Sequence, residues 1–149
     1  AFNFYIDNAP IFTRRRDLPA SKFNSCTLTS TITADGCIIT NAVIENSLIG
    51  IRTIVEAGSE LRGVICMGSD FYETTRQRER NLKAGVPSVG IGKNTRITVA
   101  IIDKDARIGS DCRIGVGERP ADGNYPNYFV RDGIIIVPKN GVIPDGTVI

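Results

Sequence analysis

An all-β solenoid is the fold class that the sequence predicts, because large apolar or sulfur-bearing residues recur with a period of six. A helix repeats its apolar face every three to four residues and a half-exposed strand every two, so neither element explains this period. A period of six predicts a single-stranded parallel β-helix, a hexapeptide-repeat solenoid in which three hexads close one coil of a triangular prism. In the first block, a single step of five interrupts the series Cys26, Ile32, Ile38, Ile44, Ile49, Val55, Leu61 and Met67.

Small residues at a constant distance from these anchors are the second observation. Four residues after most anchors, the sequence has a residue that fits a crowded corner: Ser30, Gly36, Ala42, Thr53 and Ser59. The third observation is that the period returns in two later blocks, at Ile91, Ile97, Ile102, Ile108 and Ile114 and at Val137, Ile143 and Ile149. We expect the anchors to point inwards, so a charge at Ile38 or Ile108 should be strongly destabilising. An ordinary β-sandwich with coincidental spacing is the alternative.

Two stretches lack the period, and we interpret them as loops inserted between coils, at about residues 69–90 and 115–133. The first contains the Arg-, Glu- and Gln-rich segment from Glu73 to Lys83, which predicts a short exposed helix ended by Gly85 and Pro87. Inserted loops often contact ligands or partners. The arginines of this helix could do so, although such a charge run is more often a solvated face: Arg76, Arg78 and Arg80. The second stretch is rich in Gly, Pro and Asn, which predicts an irregular loop.

Residues 1–25 form a leader that does not follow the period, and we expect the β-helix itself to span residues 26–149. Crowded apolar residues precede three consecutive arginines in this leader: Phe2, Phe4, Tyr5, Ile6 and Phe12, then Arg14, Arg15 and Arg16. The leader could cover the open end of the solenoid, which requires a cap. We favour the other possibility, that it packs on a neighbouring domain, because the chain begins at Ala1 without an initiator methionine.

Composition limits the classes of function. The chain has 149 residues, 42% hydrophobic residues and a net charge of +2, which suits one globular domain and indicates no nucleic-acid partner. No apolar run approaches membrane-spanning length, so no membrane partner is expected. The four cysteines lack CxxC spacing and are interpreted as reduced core residues of a cytosolic protein. The absence of histidine argues against acyltransferases that use a histidine base and against β-helical carbonic anhydrases, and we expect no metal site.

Several longer segments carry a more specific signal than the period does. The most specific are MGSDFYE at 67–73 and AIIDKDARIG at 100–109. The others are PIFTRRRDLPASK at 10–22, NSLIGIRTIVEAGSEL at 46–61, VGIGKNTRI at 89–97 and GIIIVPKNGVIPDGTVI at 133–149. Together they resemble the C-terminal domain of glucose-1-phosphate adenylyltransferase (ADP-glucose pyrophosphorylase) over nearly the whole chain. Only this resemblance makes us expect a left-handed coil, because crossovers between parallel strands are normally right-handed.

The resemblance implies a parent enzyme that makes ADP-glucose and pyrophosphate from ATP and glucose 1-phosphate in glycogen or starch synthesis. Its Mg²⁺ and its catalytic residues would lie in an N-terminal domain that nothing in this chain matches, so the chain alone should be inactive and should bind no cofactor. The expected partners are that N-terminal catalytic domain, further copies in a tetramer, and phosphorylated metabolites. The expected location is the bacterial cytoplasm or the plastid of a plant.

An allosteric effector site is also implied by the resemblance. Lys104 and Lys139 correspond to activator-site lysines of the plant and cyanobacterial forms, and Arg16 to an arginine that helps to bind anions. Arg14 stands where those forms have glutamine and Arg15 where they have proline, so we expect a more positive site. Each lysine lies two residues after an anchor, and the same phase on separate coils predicts that they share one surface. Ammonium and guanidinium groups suit the oxygens of a phosphorylated metabolite.

Two other functions stay open at this point. The chain could be a purely structural β-helix that serves oligomerisation without a ligand. It could also be the equivalent domain of another sugar-nucleotide pyrophosphorylase, although the missing histidine argues against the acetylglucosamine enzymes and the IIDK segment against the GDP-mannose enzymes. The sequence does not identify the effectors, which could include fructose 1,6-bisphosphate, fructose 6-phosphate or 3-phosphoglycerate as activators and phosphate or AMP as inhibitors.

Overall fold

Short parallel strands wind around three flat faces in the computed structural model, which describes residues 5–149. Phe2 and Phe4 of the leader lie outside the described residues. Among the leader residues that are described, Tyr5 and Phe12 are 83% and 92% exposed, so neither side chain covers the first coil. The inward-facing Phe23 of that coil remains partly exposed.

Sixteen strands and one helix are present in residues 5–149. In chain order they are β1 (Lys22–Asn24), β2 (Thr27–Thr29), β3 (Ile32–Thr33), β4 (Ile38–Thr40), β5 (Val43–Glu45), β6 (Leu48–Ile49), β7 (Ile54–Val55), β8 (Glu60–Cys66), α1 (Thr75–Lys83), β9 (Gly90–Ile91), β10 (Arg96–Ile102), β11 (Arg107–Ile108), β12 (Arg113–Ile114), β13 (Gly123–Asn124), β14 (Phe129–Arg131), β15 (Ile134–Val137) and β16 (Val142–Ile143). The first strand therefore precedes residue 26, where we expected the coils to begin.

The strands form three parallel ladders, one on each face of the prism. The first face has the order β1-β4-β7-β9-β11-β16. β8 and β10 turn a corner at Gly63 and Val99, where φ is 64° and 47°. The second face consists of β2, β5, the first halves of β8 and β10, and β12, and the third face of β3, β6, the second halves of β8 and β10, and β15. Neighbouring strands lie about 4.8 Å apart, so equivalent side chains of adjacent coils are in contact.

On each face, a residue of each strand points into the prism and stacks on its equivalent in the next coil. β8, β10 and β15 add a second buried stack on the third face, at Val64, Ala100 and Ile135. Burying an aliphatic side chain of this size contributes about 1.5–3 kcal/mol. Each coil also pairs its backbone with the coils on either side, so the core and the ladders support each other. The stacks of the three faces, all at most 6% exposed, are Ile39, Val55, Ile91, Ile108 and Ile143; Ile44, Leu61, Ile97, Ile114 and Ile149; and Ile49, Cys66, Ile102 and Val137.

The predicted anchors are confirmed from Ile44 to Leu61 and throughout both later blocks. They are wrong at three positions of the first block, because Ile32, Ile38 and Met67 are 49%, 38% and 46% exposed. Cys26 is only half-buried.

This error arises because successive core residues are five positions apart more often than predicted. The prediction placed only one five-residue step in the first block. The steps from Ile39 to Ile44, from Ile44 to Ile49 and from Leu61 to Cys66 each span five residues. Ile39 is 0% exposed and takes the core position that the prediction gave to Ile38.

Residues in the left-handed region of backbone space turn the chain from one face to the next. Along one corner they stack coil on coil, and most are Gly, Asn or Asp, which adopt this conformation most readily. This stack has φ values from 42° to 81° and consists of Ser25, Asn41, Gly58, Asn94, Asp111 and Gly146. The N–H of Gly58 donates to the carbonyl of Asn41 at 2.8 Å, which holds successive turns in step.

The small residues predicted at the corners are mostly buried, although Ser30 is exposed. Their hydroxyl groups bond to main-chain carbonyls: Oγ1 of Thr53 donates to Gly50 and Oγ of Ser59 to Gly92, each at 2.7 Å. A larger side chain would push neighbouring coils apart. The buried members, at most 3% exposed, are Ala42, Thr53, Ser59, Thr95, Ala106 and Cys112.

Helix α1 lies in the segment between β8 and β9. It begins with a capping box in which Thr74 Oγ1 accepts from the N–H of Gln77 at 3.3 Å and Gln77 Oε1 accepts from the N–H of Thr74 at 2.8 Å. It contains no buried residue, so the predicted exposed helix is confirmed from Thr75 onward. Within residues 5–149, no helix combines the length and the apolarity needed to cross a membrane.

Glu73 ties this helical segment to the first face. Its side chain is 4% exposed, its Oε1 accepts from Arg107 Nη1 at 2.7 Å, and its Oε2 accepts from the N–H of Val89 at 2.9 Å. Burial opposes the charged form, but the hydrogen bond from Val89 and the guanidinium of Arg107 outweigh it and hold the pKa of Glu73 below its ordinary value. The segment is therefore fixed by a buried ion pair as well as by its cap.

Residues 115–133 contain β13 and β14, which pair antiparallel with each other. β14 also pairs antiparallel with β15, and so extends the third face beyond its parallel strands. The irregular loop that we expected is therefore partly ordered as strands. That this segment and the one around α1 are insertions into a regular solenoid stays a prediction.

Candidate anion-binding site

The corner between the third and first faces positions the predicted lysines. Equivalent main-chain groups stack there from coil to coil, because the N–H of Asp105 donates to Gly68 at 3.1 Å and the N–H of Asn140 donates to Lys104 at 2.9 Å. Lys139 therefore occupies the position one coil after Lys104. With coils about 4.8 Å apart, their side chains reach the same region.

Lys104 and Lys139 both bind Asp70. Nζ of Lys104 donates to Oδ1 of Asp70 at 2.7 Å, and Nζ of Lys139 donates to Oδ2 at 3.3 Å. The three side chains are 29%, 52% and 45% exposed, in the order Lys104, Lys139 and Asp70. The structure thus brings the two predicted lysines together on one surface, with a carboxylate between them.

The main chain on either side of Asp70 is firmly held. The N–H of Asp70 donates to Oδ1 of the buried Asp105 at 2.7 Å, and Nη1 of Arg52 donates to the carbonyl of Ser69 at 3.1 Å. The hydrogen bonds from Lys104 and then Lys139 hold the pKa of Asp70 below its ordinary value, so its carboxylate is ionised at neutral pH. A fixed backbone therefore presents a charged and partly exposed side chain.

The leader brings three arginines to the same corner. Arg14, Arg15 and Arg16 line an open pocket of about 510 Å³ together with Asp17, Arg52, Asp70 and Lys104. Nη1 of Arg16 donates to the carbonyl of Arg14 at 3.2 Å, and Arg15 pairs with Asp17 at 2.6 Å. All three arginine side chains are exposed. Five cationic side chains thus face two carboxylates in this pocket, which favours an anion.

Sequence reasoning did not select Arg52 or Asp70 for the site. Arg52 lies three residues after the third-face core residue Ile49, and Asp70 lies four after Cys66. The two-residue offset that relates Lys104 and Lys139 to their core residues leads to Ile51 from Ile49 and to Gly68 from Cys66, so this count selects neither residue. The anchor predicted in the segment before Asp70, Met67, points outwards, so the register was wrong by one residue there.

Three of the four cysteines are buried. Burial raises the pKa of the Cys37, Cys66 and Cys112 thiols, and all four cysteines are free. In the described part of the chain, no three His, Cys, Asp or Glu side chains are placed to share a metal ion. The ammonium and guanidinium groups of the corner can bind and neutralise an anion.

We refer to the group formed by Arg14, Arg15, Arg16, Arg52, Asp70, Lys104 and Lys139 as the basic corner. The ladders and the basic corner together define the chain as a parallel β-helix domain with an anion-attracting edge. Residues 16–148 match the family model described as the GLGC left-handed parallel beta-helix domain. Since the match covers most of the chain, the chain belongs to this family, the C-terminal β-helix domain of glucose-1-phosphate adenylyltransferase. The expected left-handed β-helix class is the class of this family.

Proposed function

We propose that this chain is the allosteric and assembly domain of a glucose-1-phosphate adenylyltransferase and that its basic corner binds a phosphorylated metabolite. The observation that carries the proposal is the convergence of Lys104 and Lys139, from adjacent coils, on a single carboxylate. Adenylyl transfer from ATP to glucose 1-phosphate, with Mg²⁺, belongs to an N-terminal catalytic domain, and this chain supplies no catalytic group.

The chemistry of the corner fits an anion with two or more charges. The ammonium groups of Lys104 and Lys139 act as compact point charges, whereas the exposed guanidinium groups of Arg14 and Arg16 can bind phosphate or carboxylate oxygens in pairs. Because these groups lie on two coils and on the leader, one ligand would bridge separate parts of the domain. Such a bridge can change how the leader is positioned and so transmit a signal along the chain.

A binding experiment with the chain itself tests the proposal. Titration calorimetry with fructose 1,6-bisphosphate should show that Lys104→Ala and Lys139→Ala each weaken binding about tenfold or more, the size expected when a charged hydrogen bond is lost. Lys93→Ala is the matched control, because Lys93 is an exposed lysine outside the basic corner. If all three variants bind like the wild type, or if nothing binds, the structural β-helix without a ligand is the better description.

An enzyme assay extends the same test to the parent protein. We would measure ADP-glucose formation with fructose 1,6-bisphosphate, fructose 6-phosphate, 3-phosphoglycerate, phosphate and AMP as effectors. Lys139→Ala should lower the ratio of the activated to the unactivated rate. If the parent forms a different sugar nucleotide, the domain belongs to another pyrophosphorylase of the same architecture.

The outer surface of the third face supports the assembly role. Its outward residues are aliphatic and in register across five coils: Ile32, Leu48, Ile65, Ile101 and Ile136. We refer to these five residues as the aliphatic stripe. The outward residues of the second face instead include charged pairs, as in Glu45–Arg62 at 2.7 Å and Glu60–Arg96 at 3.3 Å. A contiguous apolar surface on one face is typical of an interface, and we assign it to the catalytic domain of the same polypeptide.

A further inference from the structure

We propose that Asp70 is a built-in competitor of the anionic ligand: its carboxylate occupies the lysine pair in the free protein and must leave before the ligand binds. This inference rests on the proposed effector site. It adds a residue that sets the affinity of that site without touching the bound ligand.

The geometry of the Asp70 carboxylate is that of a small bridging anion. One oxygen contacts Lys104 and the other contacts Lys139, at 2.7 and 3.3 Å. A phosphate group would present two oxygens to the same two ammonium groups. Both cannot occupy the space between the lysines at once, because an added phosphate would also face the negative charge of Asp70.

The surroundings of Asp70 allow its side chain to leave while its backbone stays. The main chain is fixed by the bond to the buried Asp105 and by the Arg52 bond to Ser69. The side chain is 45% exposed, so it can rotate into water about its own bonds without moving a coil. Within residues 5–149, Asp70 is the carboxylate that both lysines contact.

The cost of displacing Asp70 is modest, because exposed ion pairs are weak. The site can bind its ligand only while Asp70 is away from the lysines. Its apparent dissociation constant therefore equals the intrinsic dissociation constant divided by the fraction of molecules in which Asp70 has left. Asp70 therefore lowers affinity by a limited factor.

The test compares Asp70→Asn with Asp132→Asn, since both changes remove one carboxylate charge and keep the shape of the side chain. Asp132 is exposed in the turn between β14 and β15, away from the basic corner. In calorimetric titrations with inorganic phosphate, Asp70→Asn should bind about three- to tenfold more tightly than the wild type. Asp132→Asn should bind like the wild type. Unchanged or weaker binding by Asp70→Asn overturns the inference.

Lys104→Ala separates this inference from the proposed function. If Lys104→Ala binds phosphate as well as the wild type does, the effector site itself is wrong. If Lys104→Ala binds more weakly while Asp70→Asn gains nothing, only the competing role of Asp70 fails.

A second measurement detects the displacement directly. Carbon-13 NMR of the Asp70 carboxyl group should show its pKa rising when the protein is saturated with sulfate, whose charge is constant over this range of pH. The reason is that the lysines then leave Asp70 for the sulfate. A pKa that does not move would mean that the anion binds beside an intact Asp70 bridge, which contradicts the proposal.

Discussion

Ile38 and Ile39 lie next to each other, yet one faces solvent and the other is completely buried. We predict that Ile39→Ala lowers the free energy of unfolding by about 2–5 kcal/mol, because it leaves a cavity in the stack of the first face. Ile38→Ala serves as the matched control and should cost less than about 1 kcal/mol. Urea denaturation followed by circular dichroism measures both. Equal losses, or a larger loss at Ile38, would place the core on the other side of β4.

Adjacent apolar residues explain why the sequence alone could not decide this register. Ile38-Ile39 and Ile65-Cys66-Met67 each offer two or three candidates for one inward position. A one-residue slip turns every side chain to the other face of the sheet. Only the stack in the neighbouring coil selects between them, and that stack is not visible in a local pattern. Ile108 lies between Arg107 and Gly109, so its assignment was unambiguous.

The same reason separates the found from the missed residues of the basic corner. Lys104 and Lys139 follow Ile102 and Val137, whose inward direction was predicted correctly, and their shared surface could therefore be deduced. Asp70 follows the ambiguous segment around Cys66, and its position depends on which residue points inwards. Its role as a bridge between the lysines depends in addition on side-chain distances, which no period contains.

At the level of single elements, the Glu73–Arg107 pair holds the α1 segment against the first face. We predict that Glu73→Gln lowers the free energy of unfolding by about 3 kcal/mol at pH 7, because it leaves the largely buried Arg107 without its counter-charge. Glu79→Gln, on the exposed surface of α1, is the control and should stay within about 0.5 kcal/mol of the wild type.

The difference in the free energy of unfolding between the wild type and Glu73→Gln should become smaller as the pH falls. The pKa of Glu73 is lower in the folded protein than its ordinary value of about 4.3 in an unfolded chain. The charged pair is therefore fully stabilising above that ordinary value, and its contribution is lost as the pH falls through the folded pKa. Denaturation curves at several pH values should show the gap between wild type and Glu73→Gln closing on acidification. A gap that is constant with pH would mean that the charge of Glu73 is unimportant.

For whole elements, the prediction of α1 succeeded because its signals are local. A run of helix-forming residues and a glycine after the last turn are contained within a dozen positions. The antiparallel strands β13 and β14 were missed because Gly, Pro and Asn dominate their surroundings. Their order depends on pairing with β15, an existing edge of the third face.

For the whole molecule, the aliphatic stripe should decide how the domain assembles. We predict that Ile65→Lys leaves the stability of the isolated chain nearly unchanged, since Ile65 is 47% exposed. In the parent enzyme it should weaken the docking of the catalytic domain on the stripe about tenfold or more, because docking would bury an unpaired ammonium group. Small-angle X-ray scattering of the parent enzyme should show the two domains moving apart, and sedimentation velocity over a range of protein concentrations reports whether separate chains dissociate.

Thr27→Lys places the same charge on an exposed residue of the second face and is the control for that experiment. It should assemble like the wild type. If both variants assemble normally, the stripe is not an interface. If Ile65→Lys abolishes contacts between separate chains but leaves the catalytic domain docked, a second copy rather than the catalytic domain covers the stripe.

The path of the chain between β8 and β10 has a mechanical consequence. Ile39 and Val55 pair across adjacent coils and are 16 residues apart, whereas Leu61 and Ile97 pair in the same way and are 36 apart. If the molecule were pulled from its two ends, most coils would lengthen it by up to about 55 Å as they peeled away. Separation of the paired strands β8 and β10 would instead lengthen it by up to about 125 Å in a single step. Ile102 and Val137 also pair across adjacent coils and are 35 residues apart. A force–extension trace should therefore carry two long steps among shorter ones, one for the segment that contains α1 and one for residues 115–133.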